Sequence, residues 1–383
     1  MVKSEVRANK KILFVTLDLG GGGAERVLAH LLKNLDRGKF QPAVVVLKKD
    51  APSYEVPEDV DVKYIRKTKA LDFFRLAFSL ARLIREERPS AIISFLNYTN
   101  YLTAFAKMLS GSKVPHLLNE RTTISEDMKV QRFSRIKKRL IRHVYPKADR
   151  VIAVSKGVME DLCLNYGVPQ DKCSVIYNSP DLEDIKNKAG SAIDHPWFNK
   201  YTMPVVTACG RLGPEKNYPM LLKSMVRVLE RTDIRLAIIG DGLMRGELES
   251  LAKELGIQDN VAFLGFQPNP YKYMARSSIF VLSSNFEGFP NVLLEAMSCG
   301  VPSVSTRCPS GPGEIITDRL NGLLVPPGDE EALAMAILEL AGNASMRREL
   351  GENGRKRAGD FAMDKMVTEY EKVFLEAMEC SVN

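Results

Sequence analysis

Two glutamates separated by seven residues, Glu287 and Glu295, stand in the run Ser284-Asn285-Phe286-Glu287-Gly288-Phe289-Pro290-Asn291-Val292-Leu293-Leu294-Glu295-Ala296-Met297. The pattern places Glu287 in the loop after a strand and Glu295 in the first turns of a helix that starts near Asn291. A carboxylate in the loop can face a sugar, and one in the first turns can accept hydrogen bonds from ribose hydroxyls. The amides at Asn291 and Val292, at the helix N-terminus, suit phosphate. A second run, Gly210-Arg211-Leu212-Gly213-Pro214-Glu215-Lys216-Asn217, puts two cations just beyond a strand end in a loop that enters a helix. Arg211 offers a planar fork and Lys216 a point charge, a pair matched to a diphosphate. A third run, Gly20-Gly21-Gly22-Gly23-Ala24-Glu25, sits between the first strand and the first helix. Its glycines allow backbone amides to approach an anion at a helix N-terminus, and a purely structural turn stays open beside a phosphate or acceptor contact. Neither a G-x-G-x-x-G fingerprint nor a Gly-Lys-Ser/Thr P-loop is present.

With these motifs the chain resembles the retaining glycosyltransferases of the GT-B fold, the family that includes glycogen and sucrose synthases. The resemblance spans essentially the whole chain and is strongest from Gly210 to Gly328. Glu287 and Glu295 match the family's E-x7-E motif, and Arg211 and Lys216 match its diphosphate-binding pair. Gly240-Asp241-Gly242 and Phe263-Leu264-Gly265-Phe266 match its nucleotide-side loops. The resemblance implies a donor site built from Arg211, Lys216, Gly240, Asp241, Phe266, Glu287, Asn291, Val292 and Glu295. In it the backbone near Phe266 meets the base, Glu295 the ribose and Glu287 the donor sugar, with Glu287, Arg211 and Lys216 in catalytic roles. Gly21-Gly22-Gly23-Ala24-Glu25-Arg26 and Cys308-Pro309-Ser310-Gly311-Pro312-Gly313-Glu314-Ile315 look like bacterial enzymes that extend lipid-linked oligosaccharides. That finer resemblance implies transfer of an N-acetylhexosamine from a UDP-sugar to a polyprenyl-diphosphate glycan, with retention, by front-face attack through an oxocarbenium-like state. No cofactor and no metal are expected, because side chains and helix amides supply the positive charge for the leaving diphosphate. Gly22, Gly23, Glu120 and Arg121 are candidates for acceptor contacts. The chain departs from the family at one point. Many members carry a histidine after the fifth strand of the first domain, where this sequence reads Leu118-Asn119-Glu120-Arg121-Thr122. His116 lies inside the strand pattern and reads as a core histidine. Two other readings stand beside the transferase: a GT-B-shaped epimerase or phosphorylase, the latter requiring a pyridoxal lysine, and a non-catalytic nucleotide-sugar-binding partner. The intact set of Arg211, Lys216, Glu287 and Glu295 argues against the partner.

Positioning these residues requires a particular scaffold. Near-continuous apolar runs alternate with helical patterns at Lys11–Leu19, Ala43–Leu47, Val60–Ile65, Ala91–Phe95, Val114–Asn119, Arg150–Ser155 and Ser174–Tyr177. A second series follows at Val205–Cys209, Arg235–Ile239, Asn260–Phe263, Ile279–Ser283, Ser303–Thr306 and Gly322–Val325. Such alternation indicates parallel sheets covered on both faces. Helical spacing runs through Ala24–Leu35, Leu71–Glu87, Asp329–Leu340 and from Ala362 to about Glu379. The fold class is therefore α/β: two doubly wound Rossmann-like domains facing a central cleft, with ligands at the carboxyl ends of the strands. Residues 1–180 form the expected acceptor-binding domain and 181–203 a linker rich in proline and polar residues. Residues 204–361 form the nucleotide-sugar domain, and 362–383 a helix that packs back on the first domain.

Composition excludes other classes. The 383 residues are 45 % hydrophobic and 26 % charged, ordinary for a globular chain and unlike a disordered or collagen-like one. Six cysteines without a C-x-x-C pair, and only four histidines, argue against a disulfide scaffold and a zinc site. The net charge of +7 is uneven: residues 1–190 carry +12 and the remainder −5. From Lys129 to Arg150 there are nine basic residues and one acid, Asp149. Phe133, Ile136, Leu140, Val144 and, near the seam, Ile141 recur there at helical spacing. An amphipathic surface helix is one reading. A patch for an anionic membrane surface, carried by Arg135, Lys138, Arg139 and Arg142, is the other. Nucleic acid is not expected as a partner, because no aromatic residues are interleaved for base stacking. No apolar stretch approaches the length of a membrane span, no leader is expected in the first ten residues, and the final Cys380-Ser381-Val382-Asn383 fits a prenylation box poorly. The expected location is cytoplasmic, peripheral on the inner face of the cell membrane.

Overall fold

The structure, a computed structural model, describes residues 9–20, 22–48, 54–67, 72–130, 134–198 and 203–380. Most of the first ten residues, Gly21 of the glycine run, Leu71, Arg132, Phe133, residues 199–202 and the last three residues lie outside these, and with them the leader and prenylation readings. The chain divides into two compact units, residues 1–178 with 363–383, and residues 179–362.

The first unit begins β1 (Lys10–Thr16), α1 (Gly23–Asn34), β2 (Phe40–Val46), β3 (Asp61–Tyr64), α2 (Phe73–Glu87), β4 (Ala91–Phe95), α3 (Asn97–Ser110) and β5 (His116–Glu120). It continues through α4 (Ile124–Val130), α5 (Ser134–Val144), β6 (Arg150–Ala153), α6 (Lys156–Tyr166) and β7 (Cys173–Val175). All seven strands are parallel, in the order β3-β2-β1-β4-β5-β6-β7. The central strands are buried from end to end, as a sheet covered on both faces requires. On one face Leu76, Leu80 and Ile84 of α2 pack with Leu102 and Ala106 of α3. On the other, Val27, Leu28 and Leu31 of α1 pack over Phe14 and Phe95.

The second unit opens with α7 (Leu182–Ala189), β8 (Val205–Cys209), α8 (Tyr218–Leu229), β9 (Arg235–Ile239), α9 (Arg245–Glu254), β10 (Val261–Phe263), α10 (Tyr271–Met274) and β11 (Ile279–Leu282). Then come α11 (Asn291–Ser298), β12 (Ser303–Thr306), α12 (Pro312–Ile315), β13 (Leu323–Val325), α13 (Glu330–Gly342) and α14 (Ala344–Gly359). Its six strands are again parallel, in the order β10-β9-β8-β11-β12-β13. The last helix, α15 (Met363–Cys380), returns to the first unit, where Phe374 sits edge-on to Phe14 at 6.1 Å and to Phe40 at 6.0 Å.

Two expectations need correction. The stretch read as a linker contains α7, capped by Asp181, and it packs on the second unit: Phe198 is buried against Tyr273 with ring centroids 5.2 Å apart. The basic segment is not helical to its end: among the described residues it holds the last turn of α4, then α5, then a short 3-10 turn, Tyr145–Lys147, before β6 begins at Arg150. Its apolar seam is also turned: Ile141 is wholly buried while Ile136 is 70 % exposed. Helix α14 had no expected counterpart. Gly351 and Gly354 interrupt its helical pattern, and Gly351 is needed there. A Cβ at Gly351 would come within 2.3 Å of the Gly300 carbonyl oxygen, so only glycine lets α14 lie this close to the end of α11.

Candidate active site

In each sheet the strand order reverses beside the first strand of the unit, between β1 and β4 and between β8 and β11. Loops leaving such neighbours in opposite directions open a crevice at the carboxyl edge. In the second unit those loops are 210–217 after β8 and 283–290 after β11, which carry the cations and the first glutamate.

Backbone geometry binds this edge together. Gly210 and Gly240 have φ of +153° and +135°, and a Cβ on Gly240 would stand 2.0 Å from the Gly210 carbonyl oxygen. Gly242 is equally confined: its Cβ would lie 2.5 Å from the Leu212 carbonyl oxygen. The Leu212 amide donates to the Asp241 carbonyl at 2.9 Å, and the Gly240 amide to the Gly265 carbonyl at 2.8 Å. Loops after β8, β9 and β10 therefore form one layer. Phe266, just beyond, is 68 % exposed, and Leu243 is fully exposed.

The side chains complete the join. Lys216 Nζ lies 2.6 Å from Glu287 Oε1, with both side chains about seven-eighths buried. Ser284 Oγ donates to the same oxygen at 2.7 Å. Asn217 Nδ2 donates to Asn285 Oδ1 at 2.9 Å, and Ser283 Oγ to the Lys216 carbonyl at 2.8 Å. Burial alone would lower the Lys216 pKa. The Glu287 carboxylate, by charge and by hydrogen bond, outweighs it, so the pKa is raised and the ammonium stays protonated. Arg211 is different: its side chain is 76 % exposed, and its Nε and Nη2 donate to Glu215 Oε1 at 3.0 and 2.7 Å. Glu295 is buried one turn inside α11, whose N-terminus at Asn291 and Val292 has no side-chain cap.

The first unit presents its own group at the carboxyl end of β5. Glu120 is fully buried, and its Oε1 accepts from the amides of Arg121 at 2.9 Å and Thr122 at 3.2 Å. Its Oε2 lies 2.7 Å from the Tyr145 hydroxyl, which accepts from Asn100 Nδ2 at 2.9 Å. Burial pushes the Glu120 pKa up to about 7, against the pull of those hydrogen bonds. Arg121 donates to the amide oxygens of Asn119, at 3.5 Å, and Asn178. Asn119 in turn donates to the Tyr370 hydroxyl of α15 at 2.6 Å. Across the sheet, Gly22 caps α1, and a Cβ there would meet Glu25 Oε2 at 2.1 Å. Glu25 thus folds over the amino end of α1 beside Gly22 and Gly23, its pKa raised by burial. His116 opens β5, buried against Ser94 Oγ at 2.8 Å.

Among the described residues no group of three or more His, Cys, Asp or Glu could hold a metal ion, and no helix is long and apolar enough to cross a membrane. Several partners escaped sequence reasoning: Ser284 on Glu287, Glu215 on Arg211, Tyr145 on Glu120, and Asn178 on Arg121. Glu215, four residues after Arg211, and Ser284, three before Glu287, had spacings that could have revealed them.

Comparison with known proteins follows this geometry. Residues 21–184 match Glycosyltransferase Family 4, and residues 193–357 match Glycosyl transferases group 1. A Campylobacter jejuni protein, N-acetylgalactosamine-N,N'-diacetylbacillosaminyl-diphospho-undecaprenol 4-alpha-N-acetylgalactosaminyltransferase, is 35 % identical over 375 residues, covering 96 % of this chain and 100 % of that protein. The chain belongs to the group 1 glycosyltransferases. A second relative of this transferase, from the same organism, is 28 % identical over 96 % of the chain and 98 % of its own length. Its name is GalNAc-alpha-(1->4)-GalNAc-alpha-(1->3)-diNAcBac-PP-undecaprenol alpha-1,4-N-acetyl-D-galactosaminyltransferase. The Anabaena protein HepE, solved in complex with UDP, superposes on the transferase with a TM-score of 0.78 at 22 % identity, covering 94 % of this chain and 98 % of that one. At that identity the likeness establishes the shared GT-B fold.

Proposed function

We propose that this transferase moves an N-acetylhexosamine from a UDP-sugar onto a polyprenyl-diphosphate-linked glycan, with retention at the anomeric carbon. The observation that carries the reading is the buried Lys216–Glu287 pair, held where the loops after β8 and β11 diverge. Lys216 is fixed, desolvated and charged, the condition in which a cation best stabilises a leaving diphosphate. Arg211, exposed and flexible, exchanges Glu215 for the same diphosphate, and the amides of Asn291 and Val292 supply further donors. Glu287, with one oxygen held by Lys216 and Ser284, presents its carboxylate to the donor sugar. Glu295 takes the ribose hydroxyls, and Gly240, Asp241 and the backbone at Phe266 line the side of the base. Departing phosphate and incoming hydroxyl share one face of the sugar, so no covalent nucleophile is needed.

Acceptor contacts fall to Gly22, Gly23, Glu120 and Arg121 of the first unit. Both Campylobacter relatives act, by their names, on undecaprenyl-diphosphate-linked glycans, and HepE is described with UDP, which supports these choices of acceptor and donor. The cations of α5 (Arg135, Lys138, Arg139 and Arg142) hold the enzyme on an anionic cytoplasmic membrane face, where such an acceptor resides. The test is a panel of UDP- and GDP-linked sugars offered with membrane-extracted acceptors and read by mass spectrometry. One added N-acetylhexosamine from a UDP donor, in the anomeric configuration of the donor, is expected. Transfer from GDP-sugars alone, or an inverted product, overturns the reading.

A further inference from the structure

The gap between α3 and α5 in the first unit holds a cavity of about 600 Å³ that the transfer chemistry does not use. Its walls are aromatic: Phe73 packs on Phe105 at 5.6 Å and on Tyr101 at 6.1 Å, and Phe74 on Phe105 at 6.0 Å. Leu118 and His116 of β5 form the floor, and Leu140 and Val144 of α5 the opposite wall. Burial holds the His116 pKa at about 3, so the floor carries no charge at neutral pH. Apolar side chains stand out around it, Phe74 63 %, Phe78 59 % and Met108 66 % exposed. Exposed apolar side chains at the edge of an apolar cavity are the kind of surface that marks an interaction site.

The mouth is polar and its neighbour helix is cationic. Lys107, His143 and Lys147 line the mouth, where the one acid, Asp149, is paired with Lys107 at 2.8 Å. Helix α5 supplies both chemistries. Leu140 and Val144 face the cavity, while Arg135 and Arg139 are exposed and, with Lys138, have no ion-pair partner among the described residues.

We propose that this cavity receives an acyl chain of an anionic phospholipid, with the lipid phosphate over the cations of α5. An apolar slot beside unpaired cations on one helix complements an amphiphile with a charged head and a hydrocarbon tail. The site lies toward the starts of β5 and β6, at His116 and Asp149, whereas Glu120 and Arg121 lie at the far end of β5. A lipid bound here leaves the sugar-transfer residues uncovered. The proposal rests on the membrane reading of α5 and adds a defined chain site to a surface attraction.

The test uses the full chain and vesicles of phosphatidylglycerol that carry a diazirine within one acyl chain. After irradiation, peptide mass spectrometry should find adducts on Phe105, Met108, Leu140 or Val144. Ala104→Phe fills the cavity without removing a cation. It should reduce those adducts at least fivefold while changing sedimentation with the vesicles less than twofold. Adducts confined to Phe78 and Ile136, or unaffected by Ala104→Phe in a protein that melts like the parent, overturn the chain site. Sedimentation without adducts in the cavity of the unaltered protein does the same, whatever the variant does. Failure to sediment with phosphatidylglycerol at all overturns the membrane reading together with the site. Sugar transfer is not the readout, so neither outcome bears on the donor assignment.

Discussion

Removing the Lys216 ammonium should separate what the Lys216–Glu287 pair does for the fold from what it does for the donor. Both side chains are about seven-eighths buried, and Nζ and Oε1 stand 2.6 Å apart. Lys216→Met leaves Glu287 buried with the Ser284 hydroxyl still donating to it. Stranding one partner of a buried pair costs about 3–5 kcal/mol, and the Ser284 hydroxyl and the slight exposure point to the lower end, about 3 kcal/mol. A unit of this size loses roughly 2–4 °C in Tm per kcal/mol, so the second unit should melt roughly 6–12 °C lower by calorimetry. Glu287→Gln in the same chain removes the stranded charge, and the double variant should recover most of that loss. Transfer should not recover. The lost charge-assisted contact to phosphate is worth on the order of 1.5–3 kcal/mol, so kcat/KM should fall by about tenfold or more in both variants. Radiolabelled donor transfer measures this beside calorimetry. Arg211→Ala serves as the control: an exposed side chain should leave Tm within about 1 °C yet lower transfer by about tenfold. A double variant that regains both stability and transfer would refute the reasoning, since the pair would then be structural only.

Further expectations follow from other residues. Glu120 ionises with a pKa of about 7 in the fold against 4.5 for its ordinary value. The folded state therefore holds a proton that the unfolded chain has lost, and stability should be complete below about pH 4.5 and decline up to about pH 7. Glu120→Gln should flatten that decline and raise stability at pH 8 by up to about 3 kcal/mol, measured by urea unfolding across pH, and an unchanged pH profile would remove the buried-carboxylate account. Gly240→Ala places a Cβ 2.0 Å from the Gly210 carbonyl oxygen, where neither backbone can yield. It should cost about 1–3 kcal/mol and weaken UDP binding by calorimetric titration, and parent-like values in both would contradict the close approach. Changing Arg135, Lys138, Arg139 and Arg142 together to Gln should abolish salt-sensitive sedimentation with anionic vesicles, each cation contributing about 1 kcal/mol. Transfer to a short detergent-soluble acceptor should stay near that of the parent. Activity should also survive EDTA, because side chains supply the positive charge, and loss that magnesium or manganese reverses would oppose that view.

Local pattern made much of this protein legible. Buried parallel strands read as unbroken apolar runs, so Ala91–Phe95, Val205–Cys209 and Arg235–Ile239 appear in the sequence with the bounds they have in the fold. The onset of α11 at Asn291 follows from Pro290 and the apolar periodicity after it, which seats Glu295 one turn in. Motif spacing marked Arg211, Lys216 and Glu287 individually. What the sequence could not supply is adjacency across long separations. Lys216 and Glu287 are 71 residues apart and meet because β8 and β11 are sheet neighbours, a pairing that strand order decides and local spacing does not encode. The same holds for Tyr145 on Glu120 and Tyr370 on Asn119, where partners 25 and 251 residues away set the burial of a carboxylate and the orientation of a strand end. The role of Gly351 is hidden for a related reason. At Gly351 the residue usually read as a helix breaker is the one that fits, because what it avoids is the Gly300 backbone of another helix end. By periodicity Ile136 belongs to the seam of α5 and Ile141 lies only near it. The packing of α5 in the first unit buries Ile141 and leaves Ile136 exposed. Short-range periodicity records which face is apolar, and tertiary packing decides which of two apolar faces is covered.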